Sequence, residues 1–294
     1  MKRLFLQIIM TFLMAMPAGS LAAKYDGRLL DAHAHIPRGV SVDFILAQYA
    51  KAGVEGAMLF VKLGDASSLK DRLPAGFQLF SDGYKKFRGG GGVTFKLREK
   101  RLQKFASLLA DGTLRGAGEF YSAISYHPRM KSFQTDISSS DFRRYMRTVA
   151  KHKGIFHIHD ERMGKGREVI FGQHPDVIFV LAHCGYLAPR TLRALFEQYP
   201  NLMADLSLIT NAHFGISKRW GGPKITTHPR ASWRQLLIDH ADRFLVGSDI
   251  GADRERITKL AAVMDDYRVL LGGLPRTVAD KIAHGNFERL MRAR

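Results

Sequence analysis

The 294-residue chain contains a single cysteine, Cys184. One cysteine cannot form an intrachain disulfide, so we expect a large buried core, rather than covalent cross-links, to stabilise the fold. The run Gly89-Gly90-Gly91-Gly92 matches neither a P-loop nor a dinucleotide-binding turn, and we interpret it as a tolerated insertion rather than a mobile loop. No serine has nucleophile-elbow spacing, which disfavours serine hydrolysis.

A long apolar run is confined to the N-terminus. Two basic residues precede an apolar stretch from Leu4 to Met16, and small residues follow up to Ala23. This three-part layout predicts a signal peptide over residues 1–23, cleaved after Ala22 or Ala23, and a periplasmic or secreted mature protein; an uncleaved N-terminal anchor is the alternative. No later segment approaches the roughly 20 apolar residues of a spanning helix, so we expect no stable membrane insertion after cleavage.

Acidic residues are in deficit, and the formal net charge is +18. Such a charge suits anionic partners, which include nucleic acid, anionic lipid surfaces and acidic small molecules. The basic residues are dispersed, however, and the densest cluster, Lys96 to Lys104, fits one face of a helix. We therefore interpret most of the charge as general surface charge. We expect a small-molecule substrate, anionic or neutral, and no specific nucleic acid; a homo-oligomer is left open.

Short apolar runs alternate with segments of helical periodicity, which predicts parallel βα units. The eight candidate strands are Arg28–His35, Glu55–Leu63, Gly76–Ser81, Gly116–Tyr121, Gly154–His159, Val177–Ala182, Asn201–Leu206 and Arg243–Ser248. The clearest helices are Val42–Lys51, Leu97–Ala110, Ser140–Lys151, Pro189–Gln198, Ser232–Ala241 and Arg254–Leu271. Eight strands can close a barrel, so residues 24–294 are predicted to form one α/β domain, a (β/α)₈ TIM barrel.

Two histidines end the first predicted strand, in the sequence Asp31-Ala32-His33-Ala34-His35. Side chains two residues apart on a strand point to the same face, so both imidazoles can approach one cation from a rigid element. The pair lies where the strand gives way to a loop that contains Pro37 and Gly39. This position favours a metal site over two interior histidines that hydrogen-bond to each other.

Three later strands end in similar residues. They are Phe156-His157-Ile158-His159-Asp160, Leu181-Ala182-His183-Cys184-Gly185 and Val246-Gly247-Ser248-Asp249. In a (β/α)₈ barrel the carboxyl ends of the strands surround one site, so these residues should meet there. We prefer His159 as the ligand from the fifth strand because it lies nearer the strand end; His157 is the competing candidate.

These motifs resemble the amidohydrolase superfamily and, within it, the amidohydrolase-2 type of metal-dependent hydrolase. A further segment, Ile282–Leu290, is similar to the closing helix of that family. The resemblance implies that His33, His35 and Asp249 hold one divalent metal. It also implies that His159 and His183 hold a second ion or orient the substrate. Zinc is the expected metal, one or two ions per chain, with manganese as the alternative.

Many relatives bridge two metals through a modified lysine on the fourth strand, and this chain has no lysine there. Instead, Gly116-Ala117-Gly118-Glu119 is similar to the Gly-Glu segment of TatD-type hydrolases, in which the glutamate contributes to the metal site. Glu119 is therefore expected to be a metal ligand that can bridge two ions. The alternative is a carboxylate paired with Arg115 or another cation at the barrel mouth.

The resemblance implies a hydrolase that activates water at a divalent metal centre. Asp249 would accept the proton and return it to the leaving group, and His183 would polarise the scissile carbonyl or phosphoryl oxygen. We expect cleavage of an ester, lactone, amide or phosphoester bond. The alternatives are a metal-dependent decarboxylase or hydratase of the same superfamily and, from a different class, a non-catalytic exported protein that binds anions.

Overall fold

Eight parallel strands close into a barrel in the computed structural model, which describes residues 23–36, 39–81, 85–89, 92–124, 133–208, 231–251 and 254–292. The strands are β1 Asp31–His35, β2 Ala57–Val61, β3 Gln78–Ser81, β4 Lys85–Gly89, β5 Gly92–Lys96, β6 Leu114–Ile124, β7 Phe133–Gln134, β8 Ile155–Asp160, β9 Ile178–Leu181, β10 Leu202–Asp205 and β11 Phe244–Leu245. The barrel order is β1-β2-β3-β6-β8-β9-β10-β11. The predicted TIM-barrel fold is confirmed. The expected signal peptide, apart from Ala23, lies outside the described residues.

Three strands lie outside the predicted eight. β4 and β5 form an antiparallel hairpin in which Gly89 pairs with Gly92, at the glycine run interpreted above as an insertion. β7 pairs antiparallel with the end of β6, through Ile124 and Phe133. The sequence pattern does not predict these strands because neither the β4–β5 hairpin nor β7 is part of a βα repeat.

The last strand segment closes the barrel against β1. The amide of Ala32 donates to the carbonyl of Val246 at 2.8 Å, and the amide of Asp249 donates to the carbonyl of His33 at 2.7 Å. Beyond β11 the chain therefore continues alongside β1. This pairing fixes Asp249 directly beside the first-strand histidines.

Helices pack around the outside of the barrel. They are Val42–Lys51, Ala66–Lys70, Glu99–Ala110, Ser140–Lys151, Val169–Gln173, Pro189–Gln198, Ala231–Asp239, Arg254–Thr258, Leu260–Gly272, Arg276–Asp280 and Asn286–Arg292, with short 3₁₀ or π turns at Ala182–Tyr186, Ala241–Arg243 and Lys281–Gly285. The hydroxyls of Ser41 and Ser139 cap two of them, each accepting a backbone N–H at 3.2 Å, which satisfies an otherwise unpaired helical donor. No helix of the described ranges is both long and apolar enough to cross a bilayer.

One predicted helix, Arg254–Leu271, is two helices separated at Lys259. At the break, the Thr258 hydroxyl donates to the carbonyl of Glu255 at 2.6 Å. A threonine hydroxyl that bonds to a nearby carbonyl competes with the helical backbone bond, which explains the interruption.

The interior of the barrel is apolar below the predicted site. The residues of this layer come from the inward faces of successive strands and from the last helix: Leu30, Ala32, Met58, Phe60, Phe80, Ile155, Val180, Met203, Leu245, Phe287 and Leu290. A second and larger apolar cluster fills the space between the strands and the helices. The polar site therefore has a closed apolar floor.

Two irregularities in strand register turn site residues inward. The pairing of β1 shifts between Asp31 and Ala34, and that of β6 shifts between Ala117 and Phe120. An extra residue in a strand reverses which side chains face the barrel beyond it. As a result, His33 contacts the interior ring of Phe60 even though the adjacent Ala32 belongs to the interior layer.

Candidate metal centre

Ionisable side chains from six strand ends converge at the carboxyl end of the barrel. They are His33 and His35 from β1, Glu119 from β6, His157 and His159 from β8, His183 after β9, Asp205 from β10 and Asp249 after β11. Neighbouring imidazole centroids lie 4.6 to 5.3 Å apart. The structure thus brings together every residue that the sequence placed in the site.

The first potential ligand group consists of His33, His35, Glu119 and Asp249, whose donor atoms all lie within 4.8 Å of one another. The Oδ1 atom of Asp249 is 3.3 Å from the Nε2 atoms of both His33 and His35. Glu119 Oε2 is 3.4 Å from His35 Nε2 and 3.7 Å from His33 Nε2. The side chains of His35 and Asp249 are 25% and 17% exposed, which places them on the solvent-accessible side of the group.

The second group consists of Glu119, His159 and His183. The other carboxylate oxygen of Glu119, Oε1, accepts a hydrogen bond from His159 Nδ1 at 2.8 Å and lies 3.6 Å from His183 Nε2. The two oxygens of Glu119 therefore face different pairs of histidines. The Arg115 guanidinium, named above as an alternative partner of Glu119, donates to the carbonyl of Met291.

Close packing of β6 on β8 brings Glu119 to this position. Gly118 has a φ of +138°, and a Cβ atom there would lie 2.7 Å from both the Cβ and the carbonyl oxygen of His157. Only glycine accommodates this approach and this backbone conformation. The Gly-Glu pair that the sequence analysis singled out is thus a local requirement of the site.

Electrostatically, the centre is a set of buried carboxylates balanced by imidazoles. Burial alone would raise the pKa of Glu119, but the positive charge of His33 and hydrogen bonds from other histidines hold it well below its usual range. Burial alone would lower the pKa of His33, but three neighbouring carboxylates raise it well above the usual value. Burial alone would lower the pKa of His159, but its hydrogen bond to Glu119 is the main cause that raises this pKa to about 9. In the cation-free protein, protons on these imidazoles balance the carboxylates.

This donor set fits a divalent cation. The Nε2 atom of His33 is buried and has no hydrogen-bond partner among the described residues. Its Nδ1 atom contacts Asp205 at 3.1 Å, so in the neutral ring Nδ1 keeps the proton and Nε2 offers its lone pair to a ligand. Imidazole nitrogens with carboxylate oxygens are the ligand types of zinc and related metals. A cation can replace the protons that otherwise neutralise the buried carboxylates.

The two candidates on β8 differ in their surroundings. His157 belongs to none of the three potential ligand groups, the third being His33, His183 and Asp205; its Nε2 atom donates to Asp205 at 2.8 Å, deeper in the barrel. Burial lowers the pKa of His157 to about 4, so it is neutral at physiological pH. His159 instead contacts Glu119, and the geometry therefore favours His159 as the ligand from this strand.

The turn after β9 has a left-handed backbone. His183, Cys184, Gly185 and Tyr186 have φ angles of 55°, 50°, 61° and 54°. A non-glycine residue costs about 1–2 kcal/mol in this conformation, so the surrounding structure must maintain the turn. The turn places the Tyr186 ring 5.2 Å from the ring of His183 and 6.2 Å from that of His159. Strained backbone of this kind is concentrated at functional sites.

Glu161 is a member of the site that the sequence reasoning missed. Its Oε1 atom lies 3.3 Å from His159 Nε2. The signal was available, because Glu161 continues the two-residue spacing of His157 and His159 and comes directly after the end of β8.

A buried clamp between Asp31 and Ser248 was also missed. The carboxylate of Asp31 accepts hydrogen bonds from the amide of Ser248 at 2.8 Å, from the Ser248 hydroxyl, and from the hydroxyl of Tyr49 at 2.8 Å. The clamp joins β1 to the segment that carries Asp249. Nothing in the local sequence identifies this pair, since its members are 217 residues apart.

Solved structures share this fold. An uncharacterized TIM-barrel protein from Bordetella bronchiseptica aligns with a TM-score of 0.62 at 14% identity, covering 90% of this chain and 98% of that one. A candidate 2-pyrone-4,6-dicarboxylic acid hydrolase from Pseudomonas putida gives 0.60 at 16% identity, covering 90% and 97%. The 2,6-dihydroxybenzoate decarboxylase from Rhizobium gives 0.53 at 16% identity, covering 92% and 98%. At these identities the likeness shows the fold alone.

No curated protein sequence matches the chain. The profile of the amidohydrolase-2 family, described as amidohydrolase, matches residues 114–292, which is more than half of the chain. This span contains Glu119, His159, His183 and Asp249, and the resemblance inferred from the motifs is confirmed. The chain belongs to the amidohydrolase-2 family.

Proposed function

We propose that this protein is a metal-dependent hydrolase that cleaves an ester, lactone, amide or phosphoester bond in a small molecule. One observation carries the proposal: Glu119 directs one carboxylate oxygen toward His33 and His35 and the other toward His159 and His183. A buried carboxylate between two pairs of imidazoles is suited to hold cations on both sides.

The ligands divide between two positions. His33, His35 and Asp249 would hold one ion with Glu119 Oε2, and His159 and His183 would hold a second ion with Glu119 Oε1. Zinc is the metal proposed, because nitrogen-rich sites with carboxylate oxygens suit it, and manganese is the alternative. A divalent cation bound here supplies Lewis acidity, which makes water a better nucleophile at neutral pH and withdraws electrons from the scissile bond.

Asp249 is the proposed general base. Burial would raise its pKa, but the positive charge of His33 and the Nε2 atoms of His33 and His35, each 3.3 Å from Oδ1, keep the pKa of the carboxyl well below its usual range, so it stays ionised. It accepts a proton as water oxygen attacks the substrate's carbonyl carbon or phosphorus. It then returns that proton to the leaving oxygen or nitrogen as the scissile bond breaks.

Where His183 does not bind the second ion, it is the proposed electrophilic residue. Its Nδ1 atom lies 2.7 Å from the hydroxyl of Ser207, which leaves Nε2 on the side of Glu119 and the reacting groups. From there the imidazole can orient the oxygen that gains charge during the reaction. The apolar layer under the site excludes water from below, so these polar interactions act in a medium of low dielectric.

The substrate class is proposed by analogy with two proteins of the same fold. A decarboxylase of an aromatic acid and a candidate hydrolase of a cyclic dicarboxylate both use this barrel. A metal-dependent lyase is therefore the second candidate. Both the hydrolase and the lyase proposal include small carboxylated substrates, because an anionic substrate suits a protein with a net charge of +18.

The test begins by measuring the metal content per chain of protein that has been purified without chelator. Zinc- or manganese-restored protein is then screened against esters, lactones, amides, phosphoesters and aromatic carboxylic acids. Chelator-sensitive hydrolysis supports the proposal, and release of carbon dioxide identifies the lyase instead. Protein that binds no divalent ion, but retains polyanions in a salt-sensitive manner, would contradict an enzymatic role.

A further inference from the structure

A single buried carboxylate, Asp205, lies beneath both halves of the centre. It is fully buried at the end of β10. Its Oδ2 atom accepts hydrogen bonds from His33 Nδ1 at 3.1 Å and from His157 Nε2 at 2.8 Å. Both donors are ring nitrogens, so this oxygen controls where protons sit on two imidazoles.

The other oxygen of Asp205 reaches the second half of the centre. Oδ1 accepts hydrogen bonds from the amide of His183 at 3.2 Å, from the amide of Ser207 at 3.0 Å and from the Ser207 hydroxyl. The same hydroxyl lies 2.7 Å from His183 Nδ1. Asp205 thus contacts His33 directly and His183 through Ser207.

Asp205 also forms a third potential ligand group with His33 and His183, but its contacts argue against it as a ligand of the ions proposed above. It contacts His33 on Nδ1, whereas Nε2 of the same ring faces Glu119 and Asp249. Both oxygens already accept hydrogen bonds from protein donors. A carboxylate that holds the rear N–H of a ligating histidine fixes the ring orientation and the tautomer and increases the basicity of the ligating nitrogen.

We propose that Asp205 is a positioning residue common to both cation positions, acting on His33 directly and on His183 through Ser207. The proposal rests on the metal centre described under the proposed function. It deepens that function by assigning to one side chain the orientation of two proposed cation ligands, His33 on β1 and His183 after β9.

The substitution Asp205→Asn tests this role because it preserves the side-chain shape while removing the negative charge and replacing one acceptor with a donor. If the amide nitrogen replaces Oδ2, it faces the two N–H groups of His33 and His157. To relieve this clash, His33 must move its proton to Nε2 and lose the lone pair that binds the cation. If the amide nitrogen replaces Oδ1, it faces the donors of Ser207 and His183 instead.

The experiment measures Zn²⁺ dissociation constants by competition with a chromophoric chelator, on cation-free wild-type and variant proteins. Asp205→Asn should bind Zn²⁺ about 10- to 100-fold more weakly than wild type. Ser207→Ala should show a smaller loss, since His33 loses only the 3.2 Å contact between its Nδ1 atom and the Ser207 hydroxyl and keeps its carboxylate partner. The visible spectrum of the Co²⁺-loaded protein should change in Asp205→Asn, because the ligand geometry changes.

Asn286→Asp is the matched control for the loss of folding stability that follows when a buried polar side chain is changed. The amide of Asn286 is buried and donates to the carbonyls of Ala241 and Phe244 at 2.7 and 2.8 Å, at the opposite end of β11 from the site. This isosteric change should lower thermal stability without altering Zn²⁺ affinity. It therefore separates a loss of folding stability from a loss of ligand positioning.

The outcomes are distinct. Wild-type affinity and an unchanged Co²⁺ spectrum in folded Asp205→Asn would overturn the positioning role and leave the metal centre intact. An equal loss of affinity in Asn286→Asp would also overturn it. Should Asp205→Asn fail to fold, wild-type affinity in Ser207→Ala would overturn the link to His183. Wild-type protein that binds neither Zn²⁺ nor Co²⁺ would refute this inference together with the proposed function.

Discussion

Cation binding should release protons, and the number follows from the site. A histidine must be neutral to ligate a metal. In the cation-free protein, burial lowers the pKa of His33 and of His35, but neighbouring carboxylates outweigh it and raise both above the usual value. The carboxylate of Glu119 is already ionised, because its pKa is held low. The first ion at this position should therefore displace up to about two protons near neutral pH.

The sign and size of the pH effect can be worked out from this count. Protons compete with the cation, so affinity falls as pH falls and rises as pH increases toward the raised histidine pKa values. Each displaced proton contributes a factor of about 10 per pH unit, or about 1.4 kcal/mol. The release of two protons predicts a cation affinity that rises about 100-fold per pH unit, which corresponds to about 2.7 kcal/mol.

Isothermal titration calorimetry measures the proton number directly. The observed enthalpy of Zn²⁺ binding at pH 7, plotted against the ionisation enthalpy of several non-chelating buffers, has a slope equal to the protons released. His35→Gln should reduce the slope by about one. His157→Gln should leave it unchanged, because burial already keeps His157 neutral with a pKa of about 4. A slope near zero for the wild-type protein would refute the proposed charge balance.

Three further predictions concern single side chains. Asp249→Asn, assayed at saturating Zn²⁺, should lose turnover by about 10²- to 10⁴-fold, and retained activity would exclude it as the base. Glu119→Gln should lower the Zn²⁺ stoichiometry measured by elemental analysis, because both groups share this carboxylate; a stoichiometry equal to wild type argues against bridging. Gly251→Ala should lower the melting temperature strongly, since its Cβ would lie 2.0 Å from the carbonyl oxygen of His35. Gly39→Ala, at a positive φ with nothing within 4 Å, is its control and should cost only about 1 kcal/mol.

The barrel and the composition of its site were predictable from local patterns. Alternating apolar runs and helical segments reflect burial on the two sides of each strand, a property that every βα unit carries in its own residues. The carboxyl ends of parallel strands always meet at one face, so His33, His159, His183 and Asp249 could be placed together without coordinates. The hairpin β4–β5 and the break at Lys259 were not predicted, because they depend on particular contacts that the βα pattern does not imply.

The sequence by itself determined the eight-stranded barrel and the ligand types, because hydrophobic periodicity and strand-end position are recorded residue by residue. Only the tertiary structure decided how those ligands are shared and oriented. Register shifts in β1 and β6 turn His33 and Glu119 inward. The contacts of Asp205 join side chains up to 172 residues apart. Such relationships arise when the barrel closes, since they depend on distances between strands that no local pattern encodes.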